Sequence, residues 1–361
     1  MRYSFDTVRT VILTLAWLGT GAAEARDAPV AEPPVRVDNA AALQGVGRVA
    51  IGSFTVDILD RVEASADVGG IELVTGAPTD IIVNLVGTDS ARYPALVEAM
   101  YAQFAADLTK AGYSVVPRAE LQANVDFAKL KPSDPAASKL EKTAAGHNHY
   151  ISAYGLPMWM IDENWIVPRP TQIQIFGKRK DTRDPYISWG NSLTAGFVMV
   201  DYAKQKQVAK SLGAPVLNVR ITVLGGQAKI DRDFWMTKGS GKTDAAMTFV
   251  PTYNRVVIIP PEGNYGRVAL GQPVPTARLG ELIGTTSAAN KAAQTAGNVA
   301  IAASRFLGAF AGGGGGVIGA MHYGNRTSYD LHTDEATFEA QLSKGFAQVS
   351  ASLVAEMAHS R

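Results

Sequence analysis

The stretch that most constrains the fold is a strand, helix, strand unit made from Arg48–Val56 and Tyr93–Leu121. In RVAIGSFTV, Val49, Ile51, Phe54 and Val56 mark a strand. In YPALVEAMYAQFAADLTKAGYSVVPRAEL, Pro94 suits a first helical turn, while Leu96, Met100, Phe104 and Leu108 recur every four residues with Val97, Tyr101 and Ala111 beside them. That spacing lays one apolar stripe along a helix, and the stripe demands burial. Gly112 is placed to end the helix in a left-handed cap, after which Tyr113–Val116 reads as a short strand closed by Pro117.

Ahead of this unit lies an address. Arg2 and Arg9 precede the apolar run Val11–Leu18, and small residues follow as far as Ala23-Glu24-Ala25, an A-x-A pattern before Arg26. These are the parts of a secretory signal peptide cleaved between Ala25 and Arg26. Its apolar core of about ten residues falls short of the roughly 20 that span a bilayer. The chain has 0 Cys, so it can form no disulfide and offers no thiol for a lipoprotein anchor. The expectation is a cleaved periplasmic protein. A net charge of +1 on 361 residues, with Lys178-Arg179-Lys180 as the densest basic block, argues against nucleic acid as a partner.

The organisation expected is a signal peptide over 1–25, an Ala/Pro/Val-rich linker over 26–45, and an α/β domain over 46–283. Within the domain, Ile81–Val86 reads as a hairpin or edge strand, and Gln122–Thr143, broken by Pro132 and Pro135, as a surface loop with short helical turns. An aromatic-rich insertion occupies about 122–200, with Tyr150, Tyr154, Trp159, Trp165 and Trp189 among Pro157, Pro168, Pro170 and Pro185. Asp201–Leu212 reads as a helix capped by Gly213. In Val216–Leu224, Leu217, Val219, Ile221 and Val223 alternate with Asn218, Arg220 and Thr222, so one face of that sheet is polar. Ala228–Met236, Ala246–Val250 and Arg255–Ile259 suggest an antiparallel meander ending at Pro260-Pro261. An Ala/Gly-rich segment spans 284–324, and the C-terminal segment 325–361 packs back on the domain through the amphipathic helix Thr333–Ala358, with Phe338, Leu342, Phe346, Val349, Leu353 and Met357 as the face that covers the sheet.

Several local motifs imitate functional sites. Gly239-Ser240-Gly241-Lys242-Thr243 imitates a phosphate loop, but Met236 stands where the first Gly is required and no helix follows, so it reads as a hairpin loop. His147-Asn148-His149 places two imidazoles on one side of an extended segment without an identifiable third ligand. Asp231 and Asp233 read as a solvated strand face. No catalytic constellation, cofactor motif or metal motif is found, and no cofactor is expected.

The most unusual feature is a run of small residues at every fourth position: Ala288, Ala292, Ala296, Ala300, Ser304, Gly308, Gly312, Gly316 and Ala320. On a helix these form a smooth ridge, with Gly308, Gly312 and Gly316 as its candidate contact residues against a second copy. Residues 299–321, with Arg305 as the sole charge, are equally a candidate membrane contact. Against both stands a hinge, because each Gly inside a helix costs about 0.5–1 kcal/mol relative to Ala.

RVAIGSFTV, YPALVEAMYAQFAADL, AGYSVVPRAEL, SLGAPVLNVRITVLGG and the C-terminal amphipathic helix together resemble the small α/β domain shared by CsgG-type curli secretion proteins, LpoB-type penicillin-binding-protein activators and the TolB N-terminal domain. In those families the helix is followed by an aromatic residue, a short strand, then Arg and Leu, positions held here by Tyr113, Arg118 and Leu121. The resemblance implies a non-enzymatic envelope protein that works by binding other proteins. The fold expected is α/β (α+β), a mixed sheet with helices on one face and hairpin and loop insertions. The function expected is assembly, secretion or signalling in the envelope, through contacts with envelope proteins or with a second copy. The alternative is a periplasmic binding protein for a small apolar or glycan ligand, held by the aromatics of 150–189, with Trp159, Trp165 and Trp189 as candidate contacts.

Overall fold

A computed structural model describes residues 34–65, 78–130, 139–143, 146–157, 203–232, 239–251, 253–286 and 325–361. The expectations for the signal peptide with its Ala25/Arg26 cleavage site, for Trp159, Trp165 and Trp189, and for Gly308, Gly312, Gly316 and the 299–321 segment lie outside these residues.

The larger sheet runs, in spatial order, through Val35–Asp38 (β1), Gly266–Leu270 (β13), Arg255–Ile259 (β12), Val216–Leu224 (β8), Arg48–Leu59 (β2), Gly146–Ser152 (β7) and Lys139–Thr143 (β6). At its margins, Ser114–Val115 (β5) joins β2, and Ala246–Phe249 (β11) joins β8 and carries Val274–Arg278 (β14). β2 and β8 are parallel, and the remaining neighbours along the main row are antiparallel. Because successive side chains alternate between faces, the register Phe54↔Val219, Val56↔Ile221 and Ile58↔Val223 puts one apolar face on both strands.

The two long helices, Tyr93–Lys110 (α1) and Glu335–His359 (α4), cover that face. Phe54 stands at the junction, with ring centroids 5.8 Å from Tyr101, 5.9 Å from Phe104 and 6.0 Å from Phe346. The contacts with Tyr101 and Phe346 are edge-on, at 83° and 82°, the arrangement that aromatic quadrupoles favour. The stripe read from the sequence is the buried one: Val97, Met100, Phe104 and Leu108 on α1, and Phe338, Leu342, Phe346, Val349, Leu353 and Met357 on α4. Gly112 adopts the left-handed conformation, φ +88°, and stops α1 as expected.

A smaller sheet runs Glu281–Gly284 (β15), Asn325–His332 (β16), Pro78–Val86 (β4) and Arg61–Ser65 (β3). β4 and β16 are parallel, and each leads straight into a long helix, β4 into α1 and β16 into α4. The two crossings touch. Thr333 N–H donates to Val86 O at 3.0 Å, and a Cβ on Gly87 would come within 2.1 Å of Thr333 O, so only glycine fits there. Asp334 caps α4 by accepting the Thr337 N–H at 2.8 Å, and the hydrogen bonds from Thr337 hold its carboxyl below the ordinary range.

The structure corrects several expectations. Val35–Asp38 lies inside the expected linker but forms β1, and Ala42 and Leu43 behind it are buried. Ile81–Val86 pairs antiparallel with the preceding strand β3, in keeping with the hairpin reading, but it is no edge: β16 flanks β4 on the other side and arrives from a part of the sequence that local patterning cannot connect to it. The meander is absent, because β11 and β12 lie one after the other along the same nine-residue β8. Gln227–Arg232 (β9) instead forms a hairpin with Gly239–Asp244 (β10), and β13 to β15 continue beyond Pro260-Pro261. The phosphate-loop look-alike is therefore strand β10 rather than a loop. A helix appears as expected at 203–212 (α3). The loop expected over Gln122–Thr143 contains the helical turn Phe127–Lys129 but ends in strand β6, Lys139–Thr143, and the short helix Arg118–Ala123 (α2) forms where none was expected.

Phe104→Ala should destabilise the protein by about 3–5 kcal/mol, since the ring is fully buried, while Lys110→Ala should stay within about 0.5 kcal/mol of wild type. Urea titrations of the two variants check this, and equal small losses would mean α1 is not packed through its Phe104 stripe.

Candidate functional site

The face of the large sheet opposite the long helices is polar, as the alternation in Val216–Leu224 implied, yet it is not a solvent face. Ser53, Thr55 and Asp57 of β2 lie beside Asn218, Arg220 and Thr222 of β8, and Arg255 of β12 is directly across from Arg220. Relative exposures are 1% for Asp57, 7% for Arg220 and 0% for Arg255. Charges so deeply withdrawn from water are tolerated only with close partners. Asp57 Oδ2 accepts from Arg220 Nε at 2.8 Å and Nη2 at 2.7 Å, and from Thr222 Oγ1 at 2.9 Å.

Asn254 solves a backbone problem on the same face. β12 pairs with Val216–Arg220 and β11 with Val223 and Leu224, which leaves Thr222 between two partners. The Asn254 side chain accepts the Thr222 N–H at 3.3 Å and donates to Thr222 O and Val250 O at 2.8 Å each. At the other end Ser53 Oγ donates to Asn218 Oδ1 at 2.9 Å, and Asn218 Nδ2 donates to Gln205 Oε1 at 2.5 Å, which brings α3 to this face.

A second cluster joins α1, α2 and the turn after β7. The Arg118 guanidinium stands 3.9 Å from the centre of the Tyr101 ring, its Nη2 is 3.0 Å from Glu98 Oε2, and its Nη1 donates to Tyr154 O at 3.1 Å. Glu98 Oε1 accepts the Tyr154 N–H, and Gln122 Nε2 donates to Gly155 O at 3.3 Å. Both backbone groups of Tyr154 are therefore held by charged partners while the residue is 61% exposed. Val125, 71% exposed, sits just beyond the helix that carries Gln122. The three residues behind the family resemblance have structural tasks here. Arg118 holds this turn, Leu121 is buried, and Tyr113 donates its hydroxyl to Met357 O at 2.9 Å while Arg361 lies 5.3 Å over its ring.

His149, one of the two imidazoles considered for a metal, is buried with Nε2 2.8 Å from Asp60 Oδ2, its ring edge-on to Tyr93 at 5.3 Å. Tyr93 shares a 3.0 Å hydrogen bond with Thr88, and burial pushes its phenol up to about 12. Among the described residues no group of three or more His, Cys, Asp or Glu is placed to hold a metal ion. Asp231 lies in β9 opposite Ser240, and Asp233 lies outside the described residues.

Sequence reading missed the Asp57–Arg220 pair and the Asn254 bridge. A charge inside the otherwise apolar FTVDIL run of β2 was the available signal, but its partner is set by strand pairing and not by spacing. No family model, curated protein or solved structure matches the chain.

Arg220→Ala should cost about 3–5 kcal/mol, because it strips Asp57 of a buried guanidinium, and replacing both residues together with Asn and Met should recover part of that loss. A double-mutant cycle by urea denaturation measures it. For Tyr93, a phenol raised from 10.0 to about 12 favours folding fully below pH 10, and that contribution disappears as pH climbs towards about 12. Tyr93→Phe should therefore lose less stability than wild type over that window; parallel curves would refute the burial of the phenol.

Proposed function

We propose that this chain is a non-enzymatic protein of the bacterial envelope, exported by its N-terminal signal and acting in assembly, secretion or signalling by binding other proteins. The resemblance to the CsgG, LpoB and TolB N-terminal type of domain supports this reading from the sequence side. The observation that carries it is Tyr154, an exposed aromatic whose backbone is already held by Glu98 and Arg118. Exposed tyrosines are frequent anchors of protein contacts, and a fixed backbone lowers the ordering entropy that binding must overcome. Val125, two residues beyond α2, is a second exposed apolar side chain.

Site-specific photocrosslinking in intact cells tests the reading. A photoreactive residue in place of Val125 should yield discrete adducts with envelope proteins, adducts that Tyr154→Ala abolishes, whereas the same probe at Lys110 should yield none. Absence of Tyr154-dependent adducts would overturn it. Saturable binding of a glycan that depends on Tyr154 would instead favour the ligand-binding alternative.

A further inference from the structure

β15 ends the small sheet among the described residues, and three of its four residues are exposed. Its register with β16 shows which backbone groups face outward. Thr285 N–H donates to Ser328 O at 2.8 Å, continuing the pairing Gly284↔Tyr329 and Ile283↔Asp330. In an antiparallel ladder the inward-facing residues alternate, so Glu281, Ile283 and Thr285 address β16 while Leu282 and Gly284 point their N–H and C=O away from it. Side chains alternate as well. Leu282 turns inward beside Leu331, and Ile283 lies with Asp330 and Asn84 on the outer face, 44% exposed.

We infer that β15 pairs with β15 of a second copy of this chain, antiparallel, about a twofold axis at Ile283. The geometry selects that register. It sets Leu282 of each copy opposite Gly284 of the other, so all the outward backbone groups of the strand find partners. Ile283 then meets its own copy as a non-hydrogen-bonded pair, where opposing side chains come closest. Glu281 falls opposite Thr285, so no charge opposes itself, as an isologous contact requires. Gly284 also leaves room for the facing Leu282: among the described residues a Cβ there would have only Tyr329 Cε1 near it, at 3.9 Å. The short strand makes this a weak dimer that forms with concentration, joining the small sheets of two copies into one. Such a dimer needs neither Tyr154 nor an envelope address, so it stands or falls apart from the crosslinking result above.

The chain contains no cysteine, which makes thiol trapping clean. At a non-hydrogen-bonded antiparallel pair the Cα atoms are about 4.5 Å apart, inside the roughly 4.4–6.8 Å range of disulfides. Purified Ile283→Cys protein under mild oxidation should give a disulfide-linked dimer at least about tenfold faster than Leu282→Cys or Val125→Cys, whose thiols this register keeps beyond about 7 Å. Adding Gly284→Pro, which removes an outward N–H without touching the bonds to β16, should slow the Ile283→Cys crosslink. Equal rates for the three cysteines, or a crosslink indifferent to Gly284→Pro, would overturn the pairing.

Discussion

The parallel pairing of β2 with β8 is the constraint on which the rest of the structure depends. Its register aligns Phe54, Val56 and Ile58 with Val219, Ile221 and Val223 on one face, and Ser53, Thr55 and Asp57 with Asn218, Arg220 and Thr222 on the other. A slip of one residue would exchange the faces and drive Asp57 and Arg220 into the helices. The apolar face recruits α1 and α4 through the Phe54 cluster, and the polar face must satisfy its charges within itself. The two requirements fix one register from opposite sides of the sheet.

The second organising contact is the crossing of the two strand-to-helix connections. β4 and β16 lie parallel in the small sheet, and at Gly87 and Thr333 they hand over to α1 and α4, whose buried stripes then meet the same sheet face. Gly345 on α4 shows how tightly this layer is packed: a Cβ there would lie 2.3 Å from Phe249 Cε2. The close fit explains why a residue with low helix propensity sits in the middle of a long helix.

The two surface features proposed for contacts lie away from this core. Tyr154 is held at one end of α2 by a charged clamp, and Ile283 stands on an exposed strand at the margin of the small sheet. Each is a large side chain presented on backbone that folding has already ordered, the condition under which a small patch gives useful binding.

By itself the sequence determined the elements whose period is long and regular: β2, α1 with its Gly112 cap, α3, β8 and α4, each within a few residues of its observed bounds. It determined, too, which stripe of each long helix is buried, because amphipathic spacing depends only on local geometry. Tertiary structure alone decided that Ile81–Val86 is an interior strand, that β8 carries both β11 and β12 on one edge, and that the polar half of its alternation is buried around Asp57 and Arg220. Strand partners here come from distant parts of the chain, and no local period encodes which strand lies next to which, so the buried polar pairs and the exposed edge at β15 became visible only once the sheets were assembled.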